Sequence, residues 1–240
     1  MKIKSILSIF SIFLLQISFA QSPYKLSYQA DITIPTVSIG LLTTSFFLEK
    51  NRDILTIEQI ERLNAQDIWA FDRGVTNNWN TTAAKASDGF LYTSIATPLL
   101  FLADKRTRQD FGKIALISTE VFMLNSGITF LTKELSKRTR PYVYNPNAPL
   151  EKKLDKGAQH SFFSGHTSTP AAMMFSSAMM YHHYFPDSKF KPLVWTIAAL
   201  IPAITGYLRV RAGKHYWTDV IVGYSAGALV GVSVPLIHRK

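Results

Sequence analysis

Arg209 is followed after five residues by His215, and His215 after three more by Asp219. On a helix, a histidine four residues ahead of a carboxylate shares its face. Asp219 is therefore expected to accept the Nδ1 proton of His215 and leave Nε2 free as a nucleophile. Arg209 adds a planar fork of donors suited to a phosphoryl group. Taken alone, the spacing equally fits a basic turn leading into a helix. Two further segments carry compatible chemistry. Between Lys133 and Pro141, Lys133 and Arg140 stand seven positions apart. They are expected to bracket two helical turns ended by Pro141, so that both cations reach one anion from the same side. Ser161-Phe162-Phe163-Ser164-Gly165-His166-Thr167-Ser168 is a small, polar, glycine-bearing turn ahead of an apolar run from Thr169. It reads as the opening of a helix whose outward N–H groups meet phosphate oxygens, with Gly165 allowing close approach and His166 beside the leaving group.

In order along the chain, K-x6-R-P, S-G-H and R-x5-H-x3-D resemble the motifs of the type 2 phosphatidic acid phosphatase family. Its superfamily also holds bacterial nonspecific acid phosphatases and vanadium haloperoxidases. Through hydrophobic pattern the resemblance extends from Leu91 to Ile237, but its specific content lies between Lys133 and Asp219. The resemblance implies that Lys133, Arg140 and Arg209 bind the phosphate oxygens, with Ser164 and the Gly165 amide completing the cradle. It further implies that His215 attacks phosphorus to give a phosphohistidine, that Asp219 orients it, and that His166 protonates the leaving oxygen and then activates water. Two positions depart from the family pattern: Phe163 stands where proline is usual before Ser164, and Leu208 where serine is usual before Arg209. The missing hydroxyl at 208 removes one hydrogen bond from the cradle, on the order of 1–3 kcal/mol if buried and unreplaced. Thr205, one helical turn earlier, is the candidate substitute.

The chemistry is coherent without the family. A phosphoryl group in transfer carries negative charge on its equatorial oxygens, so placed cations and N–H donors are its main requirement. Three cations are at hand. His215, His166 and Asp219 could be assembled into a ligand set, but they show neither H-x-x-x-H nor H-E-x-x-H spacing, and the chain has no cysteine. No catalytic metal and no other cofactor is expected.

The wider frame is a chain of 240 residues, 47% of them hydrophobic, enough for one domain with a buried core. A net charge of +10 suits an anionic partner. The basic residues are scattered among hydrophobic stretches and match no nucleic-acid motif, so an anionic lipid surface fits better than nucleic acid. Residues 1–20 read as a signal peptide: Lys2 and Lys4 lead an apolar stretch from Ile6 to Phe19, and Ser18 and Ala20 are small residues placed for cleavage before Gln21. An uncleaved anchor helix is the other reading of this segment. Residues 21–88 are read as an N-terminal helix followed by an amphipathic cap region, and residues 89–240 as the catalytic bundle, one domain with the cap.

Six nearly uncharged stretches then read as helices of an all-α bundle: Ile32–Leu48, Gly89–Ala103, Ile114–Leu131, Thr167–Tyr181, Leu193–Leu208 and Val220–Ile237. At roughly 15 to 18 residues they fall short of the ~20 of a relaxed span. Their serines, threonines and glycines suit close packing in a membrane and also a buried core in water. The mean hydropathy of +0.09 is low for six spans. Lys105, Arg106, Arg108 and Lys113, then Lys189 and Lys191, then Arg239 and Lys240 follow the second, fourth and sixth stretches, which places the motifs on the opposite, external side. Six spans, a cytoplasmic C-terminus and a cleaved signal cannot all hold. A membrane-integrated envelope protein with a periplasm-facing site is the favoured form, and a soluble periplasmic domain the alternative.

Leu55 to Leu63 is expected to form an amphipathic helix covering the end of the bundle, with a lid as its functional reading. Glu120, in mid-stretch, is expected to be functional, paired with a motif cation or protonated. Met173, Met174, Met179 and Met180 are packing residues, His182 and His183 surface residues, and Lys137, Arg138 and Arg211 a solvated face. The function expected is hydrolysis of a lipid phosphate. The alternatives are a nonspecific acid phosphatase acting on soluble phosphomonoesters, a vanadium haloperoxidase, and an inactive lipid-phosphate binder suggested by Leu208.

Overall fold

The computed structural model describes residues 22–240. The expected signal peptide, 1–20, lies outside the described residues. Among the described residues there are six long helices: α1 (Tyr28–Lys50), α2 (Thr81–Ala96), α3 (Phe111–Ser136), α4 (Gly165–Tyr184), α5 (Lys191–Arg211) and α6 (Trp217–Ile237). There is no β-strand among the described residues; an isolated antiparallel bridge joins Tyr24 to Arg239. Each of the six apolar stretches contributes to one of these helices. The second is helical only to Ala96, after which Pro98 leads a 3-10 turn over Thr97–Leu102.

Among the described residues, four segments are long and apolar enough to cross a membrane: α1, α5, α6 and Phe111–Tyr144, which contains α3. Helix α2 has 16 residues, too few for a relaxed span. Helix α4 is lined with Thr167, Ser168, Thr169, Ser176 and Ser177, all buried. Six spans are therefore not required. The long helices turn large apolar side chains outward, among them Val37, Ile39, Phe46 and Phe47 on α1 and Leu193, Ile197, Leu200 and Ile204 on α5, as a lipid-facing surface requires.

Helix α4 occupies the middle, touching α2, α3, α5 and α6, while α1 packs along α3. The α4–α6 contact is backbone to backbone. A Cβ at Gly223, Gly227 or Gly231 of α6 would lie 2.7, 2.1 and 2.3 Å from the carbonyl oxygens of Ser164, Ser168 and Ala172. Only glycine permits that approach. The main apolar core, including Ile114, Ile117, Val121, Met173, Met180 and Val234, surrounds this pair, so Met173 and Met180 serve packing.

The cap region is shorter in helix than its apolar spacing predicts. Within Leu55–Leu63 only Ile57–Glu61 is helical, started by a capping box between Thr56 and Gln59. Leu55, Ile60 and Leu63 pack against Tyr142, Val143, Ala148 and Ala158 of the loop after α3. The surface reading of His183 is also corrected: its Nδ1 lies 2.7 Å from the Tyr24 hydroxyl. Glu120 pairs with His238 at 2.6 Å, not with a motif cation, because Lys133 lies about 20 Å further along the same helix.

Candidate active site

The end of α3, the start of α4 and the α5–α6 turn meet at one end of the bundle, under the loop from Lys137 to His160. Helix α3 stops at Ser136, and Lys137 adopts a left-handed conformation (φ 44°). Lys133 and Arg140 therefore do not share a helix up to Pro141 as expected. Arg140 is extended, its backbone N–H bonded to Ala158 O at 2.8 Å, and the loop carries its side chain back toward Lys133. Helix α4 opens at Gly165 with Ser164 as its N-cap residue, and the Ser164 N–H bonds Asp219 O at 3.0 Å. The place of a Cβ at Gly165 would be 3.4 Å from Lys133 Nζ, so the ammonium sits beside the helix N-terminus.

His215 is wholly buried in the turn between α5 and α6. Gly213 makes that turn at φ 67°, where a Cβ would fall 2.0 Å from Asn78 O. His215 Nδ1 lies 2.7 Å from the Ser161 carbonyl oxygen. A carbonyl only accepts, so the ring proton resides on Nδ1 and Nε2 keeps its lone pair. Nε2 is buried with no hydrogen-bond partner among the described residues. Burial first, and then the charges of Arg140, Arg209 and Lys133, hold His215 well below its ordinary pKa. The result is a neutral imidazole with a free, inward nitrogen facing three cations.

Asp219 stands elsewhere than expected. Its carboxylate is 3.8 Å from His215 Nδ1. The reason is local: His215 precedes the helix, and Asp219 is the third residue of α6, where an acidic side chain turns back to the first free N–H groups. Asp219 Oδ2 accepts from Tyr216 N–H at 2.9 Å and from the Ser161 hydroxyl at 2.5 Å. Ser161 thus bridges the pair, giving its carbonyl to His215 and its hydroxyl to Asp219. Arg138 donates to Asp219 Oδ1 at 2.5 Å and to Asp72 Oδ2 at 2.8 Å, and lies over the Tyr216 ring at 4.2 Å. Asp72, fully buried, also accepts from the Thr218 N–H at 3.1 Å. Arg138 is therefore a structural tie between the cap region and α6, not part of a solvated face. Arg211 is exposed as expected.

His166, in the first turn of α4, has Nε2 2.9 Å from Asp88 Oδ1, and Arg209 Nη1 stands 3.6 Å from the same oxygen. Arg209 is 5% exposed and donates to the Ser87 hydroxyl at 3.1 Å. Ser87 thus gives Arg209 the hydroxyl contact absent at Leu208. Thr205 does not: its hydroxyl donates to Ile201 O at 2.8 Å within α5. The Nε atoms of Arg140 and Arg209 are buried without partners among the described residues. Lys214, with its ammonium 4.6 Å from the Tyr142 ring centre, adds a cation pushed down to about 8 by burial and by Arg140 and Arg209.

All eight residues singled out by their motifs, Lys133, Arg140, Ser164, Gly165, His166, Arg209, His215 and Asp219, lie at this end. Asp72, Asp88, Arg138 and Ser161 join them by contacts across the fold. Ser161, heading the S-x-x-S-G-H segment, was visible in sequence; Asp88, at the polar edge of an apolar run, left only a faint mark. A cavity of about 250 Å³ leads outward between α2 and α3, lined by Lys133, Gly165 and His166 at its inner end and by Leu91, Phe122 and Phe130. A second, of about 570 Å³, shares Ile95 and Phe122 with it and continues the apolar lining.

A sequence model described as the PAP2 superfamily matches residues 114–240, more than half of the chain. The chain is 33% identical over 116 residues to phosphatidylglycerophosphatase B of Bacillus subtilis (strain 168), covering 48% of this chain and 53% of that protein. It is 28% identical over 156 residues to lipid A 4'-phosphatase of Porphyromonas gingivalis, covering 60% of this chain and 63% of that protein. The matched regions thus span less than two thirds of either relative. Among solved structures it resembles a transmembrane PAP2 type phosphatidylglycerolphosphate phosphatase from Bacillus subtilis, with a TM-score of 0.54, 22% identity and coverage of 83% of this chain and 94% of that one.

Proposed function

This chain belongs to the PAP2 superfamily, and we propose that it is a membrane-integrated phosphatase that removes a phosphate group from a lipid through a phosphohistidine at His215. The observation that carries this reading is His215 Nε2, buried, unprotonated, without a partner among the described residues and surrounded by Lys133, Arg140 and Arg209. In the proposed reaction the Nε2 lone pair forms a bond to phosphorus as the bond to the leaving oxygen breaks; His166, held well below its ordinary pKa by burial and by Arg209, His215, Lys133 and Arg140 before substrate binds, takes a proton once the bound phosphate offsets those cations and passes it to that oxygen. Water then attacks the phosphohistidine, His166 takes its proton, and inorganic phosphate departs with Nε2 restored. The three cations and the N-terminus of α4 hold the equatorial oxygens through both steps. Asp88 holds the His166 ring, and Asp219 fixes His215 through Ser161.

The apolar cavities ending at Lys133 and His166 favour a substrate with an acyl or prenyl tail over a soluble phosphomonoester. Charge supports the proposed orientation: Lys105, Arg106, Arg108 and Lys113 precede or begin α3, at the opposite end from the site. By the positive-inside rule that end faces the cytoplasm and the site faces the periplasm.

The test is phosphate release from phosphatidic acid, phosphatidylglycerol phosphate, a polyprenyl diphosphate, lipid A and one soluble phosphomonoester, with EDTA present, for wild type and His215→Ala in detergent. Release from one or more lipids is expected, falling on the order of 10⁴-fold or more in the variant. Well-folded wild type that releases nothing from any lipid would sink this reading. Preference for the soluble ester would point to a nonspecific acid phosphatase instead.

A further inference from the structure

Far from the phosphate site, at the other end of α6, three ionisable side chains from three elements converge. Asp31 lies in the first turn of α1, Glu120 midway along α3, and His238 directly after α6. His238 is 0% and Glu120 1% exposed. His238 Nε2 is 2.6 Å from Glu120 Oε2, and His238 Nδ1 is 3.5 Å from Asp31 Oδ1. One ligand atom from each residue lies within 4.8 Å of the others. Asp31 Oδ1, Glu120 Oε1 and His238 Nδ1 are all buried without hydrogen-bond partners among the described residues.

An ion pair alone leaves this cluster incomplete. Two carboxylates face one imidazole, so even a charged histidine leaves an excess negative charge inside an apolar bundle, which is costly. It also leaves polar atoms of all three residues unused. A divalent cation would cancel the excess and engage His238 Nδ1 and Asp31 Oδ1. The 3.5 Å between Nδ1 and Asp31 Oδ1 fits two bonds of about 2.0–2.2 Å meeting near the tetrahedral angle. Glu120 on the other ring nitrogen matches the carboxylate–histidine–metal arrangement that fixes a ligating ring. An imidazole nitrogen among carboxylate oxygens favours an ion of the zinc class over magnesium or calcium, which prefer oxygen alone.

We propose that Asp31, Glu120 and His238 form a divalent-metal site of the zinc class. It takes no part in phosphoryl transfer, being about 30 Å from His215, the length of α6. Its role is to clamp α1 and the segment after α6 onto α3, beside the bridge between Tyr24 and Arg239.

The test uses the full chain in detergent, stripped with chelator, dialysed against buffered zinc, and assayed for bound metal by mass spectrometry and for thermal stability. About one zinc per chain and a melting temperature that rises with zinc are expected. His238→Gln and Asp31→Asn should lose the bound metal and the shift, and Glu120→Gln should weaken affinity about 10- to 100-fold. Asp31 is partly exposed, so its variant reads the site even if the wholly buried His238 proves intolerant of change. His215→Ala should keep its zinc, excluding the active-site histidines as the ligands, and Asp31→Asn should keep its phosphate release. Wild type that retains no zinc, or Asp31→Asn that retains as much as wild type, overturns the proposal and leaves a buried ion-pair cluster.

Discussion

The two ends of the bundle bury charge of opposite sign. At one end Lys133, Arg140 and Arg209 crowd around His215, with Asp88 the acidic group near Arg209. At the other, Asp31 and Glu120 face the lone imidazole of His238. The phosphate-site end also contains compensated charge: Arg52 pairs with Glu134, and Arg138 lies between Asp72 and Asp219, which the Thr218 and Tyr216 N–H groups satisfy further. The contrast separates two uses of a buried ion. Matched pairs tie elements together, whereas a surplus of one sign creates a standing demand for a ligand of the other.

The most direct way to break the contrast is to remove surplus charge from the positive end. Arg209→Ala should lower kcat/KM for the proposed lipid substrate by about 10²- to 10³-fold, as loss of a placed donor does, while Arg211→Ala, on the exposed side of the same helix, should change it little. Equal losses in the two variants would mean that general basicity, not placement, drives catalysis. The second way is to disturb the helix that reaches both ends. Gly227→Val pushes side-chain carbons into Ser168 O and should destabilise the bundle by about 3 kcal/mol or more, read as a lower denaturation midpoint in detergent. A variant as stable as wild type would show that α4 and α6 are not in contact there.

The smallest effect is on protons. Burial, then Arg52, Lys133 and Arg140, push His160 down to about 3, and His215 is held below its ordinary range as well. Unfolded, both histidines take up a proton near about pH 6.5 that the folded protein refuses. Stability contributed by these groups is complete above that pH and is lost as pH falls toward about 3. Melting temperature should therefore drop from about pH 7 to about pH 5, and His160→Asn should flatten the slope. An unchanged slope in that variant would remove His160 from the account.

The helices and the motif residues were legible because their information lies along the chain. Apolar runs marked all six long helices, and S-G-H, K-x6-R-P and R-x5-H-x3-D fixed eight side chains by local spacing. What sequence misplaced was geometry that depends on where a helix begins. With α6 starting at Trp217, Asp219 became a capping residue instead of a partner on the face of His215. With α3 ending at Ser136, Arg140 reached the site through a loop. Asp72, Asp88 and Arg138 are polar residues like many others in the chain until the fold brings Asp88 to His166 and joins Asp72, Arg138 and Asp219.

The seam of Gly223, Gly227 and Gly231 has a consequence for how the proposed lipid substrate enters and leaves. Helices that mesh backbone to backbone at every fourth residue have discrete settings: sliding by less than a full turn drives one helix into the carbonyls of the other. Ser164 and Asp219 ride on the two sides of that seam, so the floor of the site is a rigid fixture. Room for the tail of the proposed substrate lies instead in the wall between α2 and α3, where the cavities are.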